Sequence, residues 1–212
     1  RVQVSLSAPF FLSFFKRFFY FYSNIYAKIL VILIQRATMS LQEQLQKTKE
    51  SKKMLATLPH QTRISFLYDC ADLLLEAQNV IIDANQKDLN AAKELDLSNA
   101  MMERLELNPK KILNMAESLR QIADFPDPLN RILGGFTNHC GLRIQKVSVP
   151  LGVIATIYES RPNVTSDVAA LCFKSGNACV LKGGKEAQRS NEAIMWVFHQ
   201  MLKKYHLPLD CM

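Results

Sequence analysis

Two short runs in the second half of the chain hold residues suited to chemistry. The first is Glu159-Ser160-Arg161-Pro162-Asn163, directly after the apolar stretch Gly152 to Tyr158. An arginine fixed by a following proline, at the end of a strand, suits bidentate capture of a phosphate or carboxylate. Asn163 adds an amide donor able to face a developing oxyanion. An ordinary strand-to-helix turn with Asn163 as N-cap accounts for the same residues.

The second run is Lys182-Gly183-Gly184-Lys185-Glu186, directly after Ala178-Cys179-Val180-Leu181. Two glycines let backbone amides approach an anion, and two lysines supply positive charge. This is not a phosphate-binding loop of the Walker type: no glycine stands five residues before Gly184, and Lys185 is followed by Glu186 rather than Ser or Thr. No G-x-G-x-x-G run occurs anywhere. A solvated turn with incidental lysines explains the second run equally well.

The five cysteines (Cys70, Cys140, Cys172, Cys179, Cys211) form no CxxC pair. His60, His139, His199 and His206 are likewise unclustered, so no metal site is expected. The thiols fit buried or incidental positions in a reducing cytosol. Lysine and arginine are scattered among acids rather than gathered on one face, which argues against a nucleic-acid partner.

The elements that must position these runs follow from periodicity. All seven glycines lie at or beyond Gly134, dividing a helical part (40–130) from a strand-bearing part (131–212). Ile64, Leu67, Tyr68, Ala71, Leu74 and Leu75 have the spacing of a one-sided helix beginning near Pro59. Asn108 reads as an N-cap with Pro109 at the first helical position and Pro126 and Pro128 as terminators. Its apolar stripe is Ile112, Met115, Ala116, Leu119, Ile122 and Ala123. Between these two helices, Val80 to Arg104 reads as helix with breaks near Asn85 and Ser98.

Leu142 to Val149 alternates as a half-exposed strand does. Gly152 to Tyr158 and Ala178 to Leu181 read as strands buried on both faces. Helical spacing at Val164, Val168, Leu171 and Cys172 joins them, and a further amphipathic helix runs from Asn191 to Lys204. Strand, helix, strand, helix predicts an α/β fold with a parallel sheet. In such sheets ligands bind beyond the carboxyl ends of the strands, where both runs fall.

Residues 1–38 differ from the rest. They hold seven of the twelve Phe, three of the six Tyr, five basic residues and no acid. Removing that +5 from the formal +7 leaves +2 for 39–212. Three readings compete here: upstream sequence read in frame with Met39 as the start, an organelle targeting segment, or a membrane-associated anchor. Lys16, Arg17 and Lys28 interrupt any membrane span. The chain begins at Arg1 and ends at Met212 after a helix-like segment, so a fragment is expected.

The run from Val149 through Tyr158-Glu159-Ser160-Arg161-Pro162-Asn163 to Thr165 resembles the signature of the gamma-glutamyl phosphate reductases (glutamate-5-semialdehyde dehydrogenases). So does Ala169 through Lys174-Ser175-Gly176-Asn177 to Lys182-Gly183-Gly184-Lys185-Glu186-Ala187. Ala84-Asn85-Gln86-Lys87-Asp88-Leu89 and Asp124-Phe125-Pro126-Asp127-Pro128 are similar to that family too. The resemblance covers about residues 40–212 and leaves 1–38 as a leader outside it. It implies the amino-terminal half of an aldehyde dehydrogenase-superfamily enzyme, with the first half of a Rossmann-like parallel sheet. It also implies NADPH-dependent reduction of L-glutamate 5-phosphate to glutamate 5-semialdehyde with phosphate release, in proline biosynthesis.

By the same resemblance, Glu159, Lys182, Gly183, Gly184 and Lys185 belong to the cofactor site, with Lys182 at the adenosine ribose. Lys185 stands where NAD-preferring relatives carry a glutamate, and its charge would draw the 2′-phosphate of NADPH. Ser160 and Arg161 are assigned to the substrate and Asn163 to the oxyanion. The nucleophilic cysteine is expected beyond residue 212. A homo-oligomer paired through strand 142–149, a cytoplasmic location and no membrane or nucleic-acid partner complete the expectation. Its rivals are another oxidoreductase of the superfamily, a longer fusion with a glutamate kinase, and a non-catalytic membrane-associated protein.

Overall fold

Five helices make up the first half of the described residues, with Pro59 at the start of the second and Asn108-Pro109 at the start of the fifth. In the computed structural model, which describes residues 40–212, these are α1 (Leu41–Ala56), α2 (His60–Glu76), α3 (Gln78–Glu94), α4 (Asn99–Leu105) and α5 (Pro109–Asp124). The leader assigned to 1–38 lies outside the described residues. Asn108 caps α5 as expected: its Oδ1 accepts from Lys111 N–H at 2.9 Å, with Pro109 at the first helical position. All six residues of the α5 stripe are buried. Ser98 caps α4 through the Met101 N–H.

The break expected at Asn85 does not exist. The helix α3 runs straight through it, and the Asn85 side chain is buried. Its Nδ2 donates to Leu105 O at 2.8 Å and to Ser190 Oγ at 3.0 Å, while its Oδ1 accepts from Leu107 N–H at 2.7 Å. Asparagine is a weak helix former because its amide competes for local backbone groups. Here the amide is occupied by distant ones, so the competition disappears.

The helix α2 sits at the centre, packed against α5 and two later helices, α6 (Pro162–Lys174) and α7 (Gln188–Lys204). Its inward face keeps Leu67, Ala71 and Leu74 of the expected stripe and adds Arg63, Phe66 and Cys70, all buried; Ile64, Tyr68 and Leu75 are only half-buried. Phe66 stacks on Phe173 of α6 with ring centroids 3.9 Å apart. Arg63, 2% exposed, donates to Lys174 O at 2.6 Å and pairs with Asp127 at 2.9 Å. Lys174 is itself buried, with Nζ donating to Ala123 O at 2.5 Å and lying 2.8 Å from His60 Nε2. Burial and the neighbouring Arg63 charge lower the Lys174 pKa.

The second half contains four strands. β1 (Ile132–Thr137) and β2 (Arg143–Val147) form an antiparallel hairpin with a register shift between Ile132 and Gly134. Gly134 and Gly135, residues that strands normally avoid, hid β1 from sequence reasoning. The expected half-burial of β2 is not observed: both faces of the hairpin are exposed among the described residues. β3 (Val153–Ile157) and β4 (Ala178–Lys182) pair in parallel from Val153↔Ala178 to Ile157↔Lys182, with α6 as the crossover.

Two expectations for this unit need correction. β3 is not covered on both faces, since Ile157 is 83% exposed. Of the expected stripe on α6 only Cys172 is buried; Leu171 is 47% exposed, Val164 and Val168 are half-buried, and Thr165, Ser166, Ala169, Ala170 and Phe173 point inward. Small inward residues let α6 lie close to its neighbours, so the bulkier Val164, Val168 and Leu171 fall on the face left open. α6 ends with Gly176 at φ +68°, where Gly176 N–H reaches Phe173 O and Asn177 N–H reaches Cys172 O. Asn177 Oδ1 then accepts from Gly152 N–H at 2.7 Å, which aligns the start of β3 beside β4.

Asn85→Ala should remove three buried hydrogen bonds and lower unfolding stability by about 3 kcal/mol. Urea denaturation, with an unchanged slope and a lower midpoint, would report it.

Candidate functional site

Parallel pairing carries β3 and β4 to the same end, and their following loops meet there. The Tyr158 N–H donates to Lys182 O at 3.1 Å, extending the ladder to the first residue of the turn. The chain then reverses, with Arg161 N–H on Glu159 O at 2.7 Å, and Pro162 opens α6. The residue capping α6 is Arg161, which makes no side-chain cap bond; Asn163 is already inside the helix, so it is not the N-cap. Asn163 is exposed, and its Nδ2 approaches Asp167 Oδ2 at 3.4 Å.

Ser160 links the two loops. Its side chain is 3% exposed, and its Oγ donates to Glu186 Oε1 at 2.5 Å. The Glu186 carboxylate is thereby folded over Gly184, where a β-carbon would collide with it. Lys182 and Lys185 remain exposed, and neither makes an ion pair among the described residues. Lys182 Nζ donates only to Gly183 O, at 3.1 Å.

A second chain of bonds lies beneath. Thr165 Oγ1 donates to Asn191 Oδ1 at 2.9 Å, so its single proton is used. The Tyr158 hydroxyl, 2.7 Å away, must therefore donate to Thr165. Burial raises the Tyr158 pKa and keeps this donor protonated. A β-carbon on Gly183 would strike the Asn191 amide and crowd the Tyr158 ring. Close packing on the Asn191 amide and the Tyr158 ring thus disfavours a side chain at Gly183, whereas at Gly184 only the end of the Glu186 side chain is in the way.

Beside the loops lie two cavities. The larger, about 400 Å³, is lined by Arg104, Glu106, Leu107, Lys111, Asn114, Met115, Ser118, Arg161, Asn163 and Asp167. The smaller, about 230 Å³, is lined by Met101, Arg104, Tyr158, Glu159, Ser160, Arg161 and Val164. The structure thus brings Glu159, Ser160, Arg161 and Asn163 to one place, with Lys182 to Lys185 on the adjoining loop. It adds Arg104 and Asp167, which sequence reasoning missed. Arg104 reads as an ordinary surface cation of a short helix, and Asp167 as a polar position of an amphipathic one. No sequence signal separates them from their neighbours.

No cysteine lines either cavity. Cys140 is exposed on the hairpin turn and the other four are buried. Burial pushes the Cys70 thiol well up, and a hydrogen bond with Cys172 together with burial does so for Cys179. Among the described residues no group of three His, Cys, Asp or Glu could hold a metal, and no helix is long and apolar enough to cross a membrane.

No protein-family model matches the chain. It is 52% identical over 168 residues to the gamma-glutamyl phosphate reductase of Aliarcobacter butzleri, which covers 79% of this chain and 41% of that protein. The crystal structure of gamma-glutamyl phosphate reductase from Thermotoga maritima superposes with a TM-score of 0.78 at 33% identity, over 82% of this chain and 42% of that one. An NAD-dependent benzaldehyde dehydrogenase from Corynebacterium glutamicum shares the fold, with a TM-score of 0.58 at 18% identity, over 77% of this chain and 33% of that one. The chain therefore spans about two fifths of the length of the curated relatives it matches.

Burial raises the pKa of Asp167 above its ordinary 3.8. The folded carboxyl then holds its proton more tightly than the unfolded one, so stability from this group rises as pH falls through the folded pKa. Asp167→Asn removes that penalty. Thermal melts should show the variant equal to or above the wild type at pH 7, with the gap closing towards pH 3.5.

Proposed function

Since the matched region is homologous to gamma-glutamyl phosphate reductases and carries the amino-terminal part of the aldehyde dehydrogenase fold, we propose that it serves the NADPH-dependent reduction of L-glutamate 5-phosphate. The products are glutamate 5-semialdehyde and phosphate, a step of proline biosynthesis. The observation that carries this reading is the meeting of the Glu159–Asn163 and Lys182–Glu186 loops at one end of the parallel pair, in a chain about half identical to such reductases.

Each residue then has a role. Lys182 and Lys185, exposed and without carboxylate partners, fit the ribose and 2′-phosphate of NADPH, which supplies the hydride. Glu159 and the glycine pair shape the same edge. Ser160 keeps the Glu186 carboxylate turned onto Gly184, so that a like charge does not oppose the phosphate. Arg161, whose guanidinium has no partner among the described residues, grips the anionic substrate. Asn163 offers its amide to the oxyanion formed when the acyl carbon is attacked. The attacking thiolate comes from outside residues 1–212, because none of the five cysteines reaches the cavities. The exposed hairpin suits pairing with another copy of the chain.

In the reductase containing these residues, Lys185→Glu should raise KM for NADP+ about tenfold or more and leave KM for NAD+ little changed. Steady-state rates of phosphate-dependent nucleotide reduction with glutamate 5-semialdehyde test both points. A missing phosphate requirement would overturn the reaction; equal effects on the two nucleotides would overturn the role of Lys185.

A further inference from the structure

We propose that Arg104 and Asp167 read the two ends of an α-amino-acid substrate in the larger cavity, Arg104 joining Arg161 on the anionic acyl end and Asp167 receiving the α-ammonium. This rests on the reductase reading and deepens it by assigning the residues that select the substrate.

Arg104 and Arg161 line both cavities, and neither guanidinium makes a hydrogen bond or ion pair among the described residues. Two unpaired cations at one opening repel each other until a multiply charged anion lies between them. Lys111, also at the cavity, is already committed: its Nζ donates to Glu103 O at 2.8 Å and Glu106 O at 2.7 Å. Arg104 is fixed by a buried anchor. Asn85 holds Leu105 O and Leu107 N–H on its carboxyl side, so the guanidinium projects from a rigid turn.

Asp167 supplies the opposite charge. It is half-buried on α6, its one hydrogen bond is the long one from Asn163, and no cation pairs with it among the described residues. A partly desolvated carboxylate without a partner opposes folding, and burial accordingly raises its pKa. A ligand ammonium would restore the missing charge. The spacing also fits. Asp167 follows Asn163 by four residues, about 6 Å along the axis, and its Oδ2 lies 3.4 Å from Asn163 Nδ2. In a five-carbon amino acid, four bonds separate the terminal acyl carbon from the α-nitrogen, about 5 Å when extended. With Arg104 and Arg161 holding the acyl phosphate and Asn163 beside the acyl carbon, the α-nitrogen reaches Asp167.

The test is equilibrium binding of L-glutamate and of glutarate, which lacks the amino group, to the reductase containing these residues by calorimetry or ligand-observed NMR. Here the side-chain carboxylate stands in for the acyl phosphate. The wild type should favour L-glutamate by about tenfold or more. Asp167→Asn should bind both acids alike, whereas Arg104→Gln should weaken both about tenfold and keep the preference. Retained preference in Asp167→Asn, equal binding of both acids by the wild type, or binding of neither would overturn the assignment. The readout needs no cofactor or turnover. The expected pattern without reductase activity would sink only the reaction, and normal turnover without the preference would sink only this assignment.

Discussion

The buried carboxylate of Asp88 is the constraint on which the rest of the structure turns. At 1% exposure it must be fully satisfied, because an unpaired buried charge costs several kcal/mol. Its partners are the Ser190 N–H and Oγ, both at 2.7 Å, and the Arg189 N–H and guanidinium at 3.3 and 3.2 Å. These groups form the first turn of α7, so Asp88 caps that helix from a hundred residues away and offsets the positive end of its dipole. The turn just before it carries Lys185 and Glu186. Three residues earlier on the same helix, Asn85 holds Leu105 and Leu107 and so fixes the base of Arg104. One helix, α3, thus locates both the Lys182–Lys185 loop and Arg104.

Charge is distributed across the site in a consistent way. The acid closest to the lysine loop, Glu186, is tied down by Ser160. The cations that face the cavities, Arg104 and Arg161, are left without partners, while Lys111 is satisfied by backbone carbonyls. Holding donors and charges in place before a ligand arrives removes reorganisation from the binding and reaction steps. The layer below, Tyr158–Thr165–Asn191, is joined by hydrogen bonds and packs closely on Gly183. Ser160, which lines the smaller cavity, is also the side chain that ties the two loops together.

The apolar surfaces show where the described residues leave work undone. Ile157 and Val153 of β3, and Ile132, Phe136, Leu142 and Ile144 of the hairpin, are exposed. A parallel strand in an α/β sheet is normally covered on both faces. Sequence reasoning was right that Gly152 to Tyr158 has the composition of such a strand. Within residues 40–212 only one face is packed.

The sequence by itself determined the local elements and the chemistry of the two loops. Asn108-Pro109 set the start of α5, and Pro126 and Pro128 its end. The apolar runs set β3 and β4, and the Tyr-Glu-Ser-Arg-Pro-Asn run pointed to the family. These are legible because capping, proline geometry and hydrophobic period act between residues a few positions apart. Only the tertiary structure decided which polar residues are structural and which are free. Asn85 looks like a helix break until its amide is seen on Leu105, Leu107 and Ser190. The bond of Ser160 to Glu186, and the place of Arg104 and Asp167 beside one cavity, are visible only in the fold. Satisfaction of a polar group is a property of its surroundings in space, and those surroundings come from segments 20 to 105 residues apart.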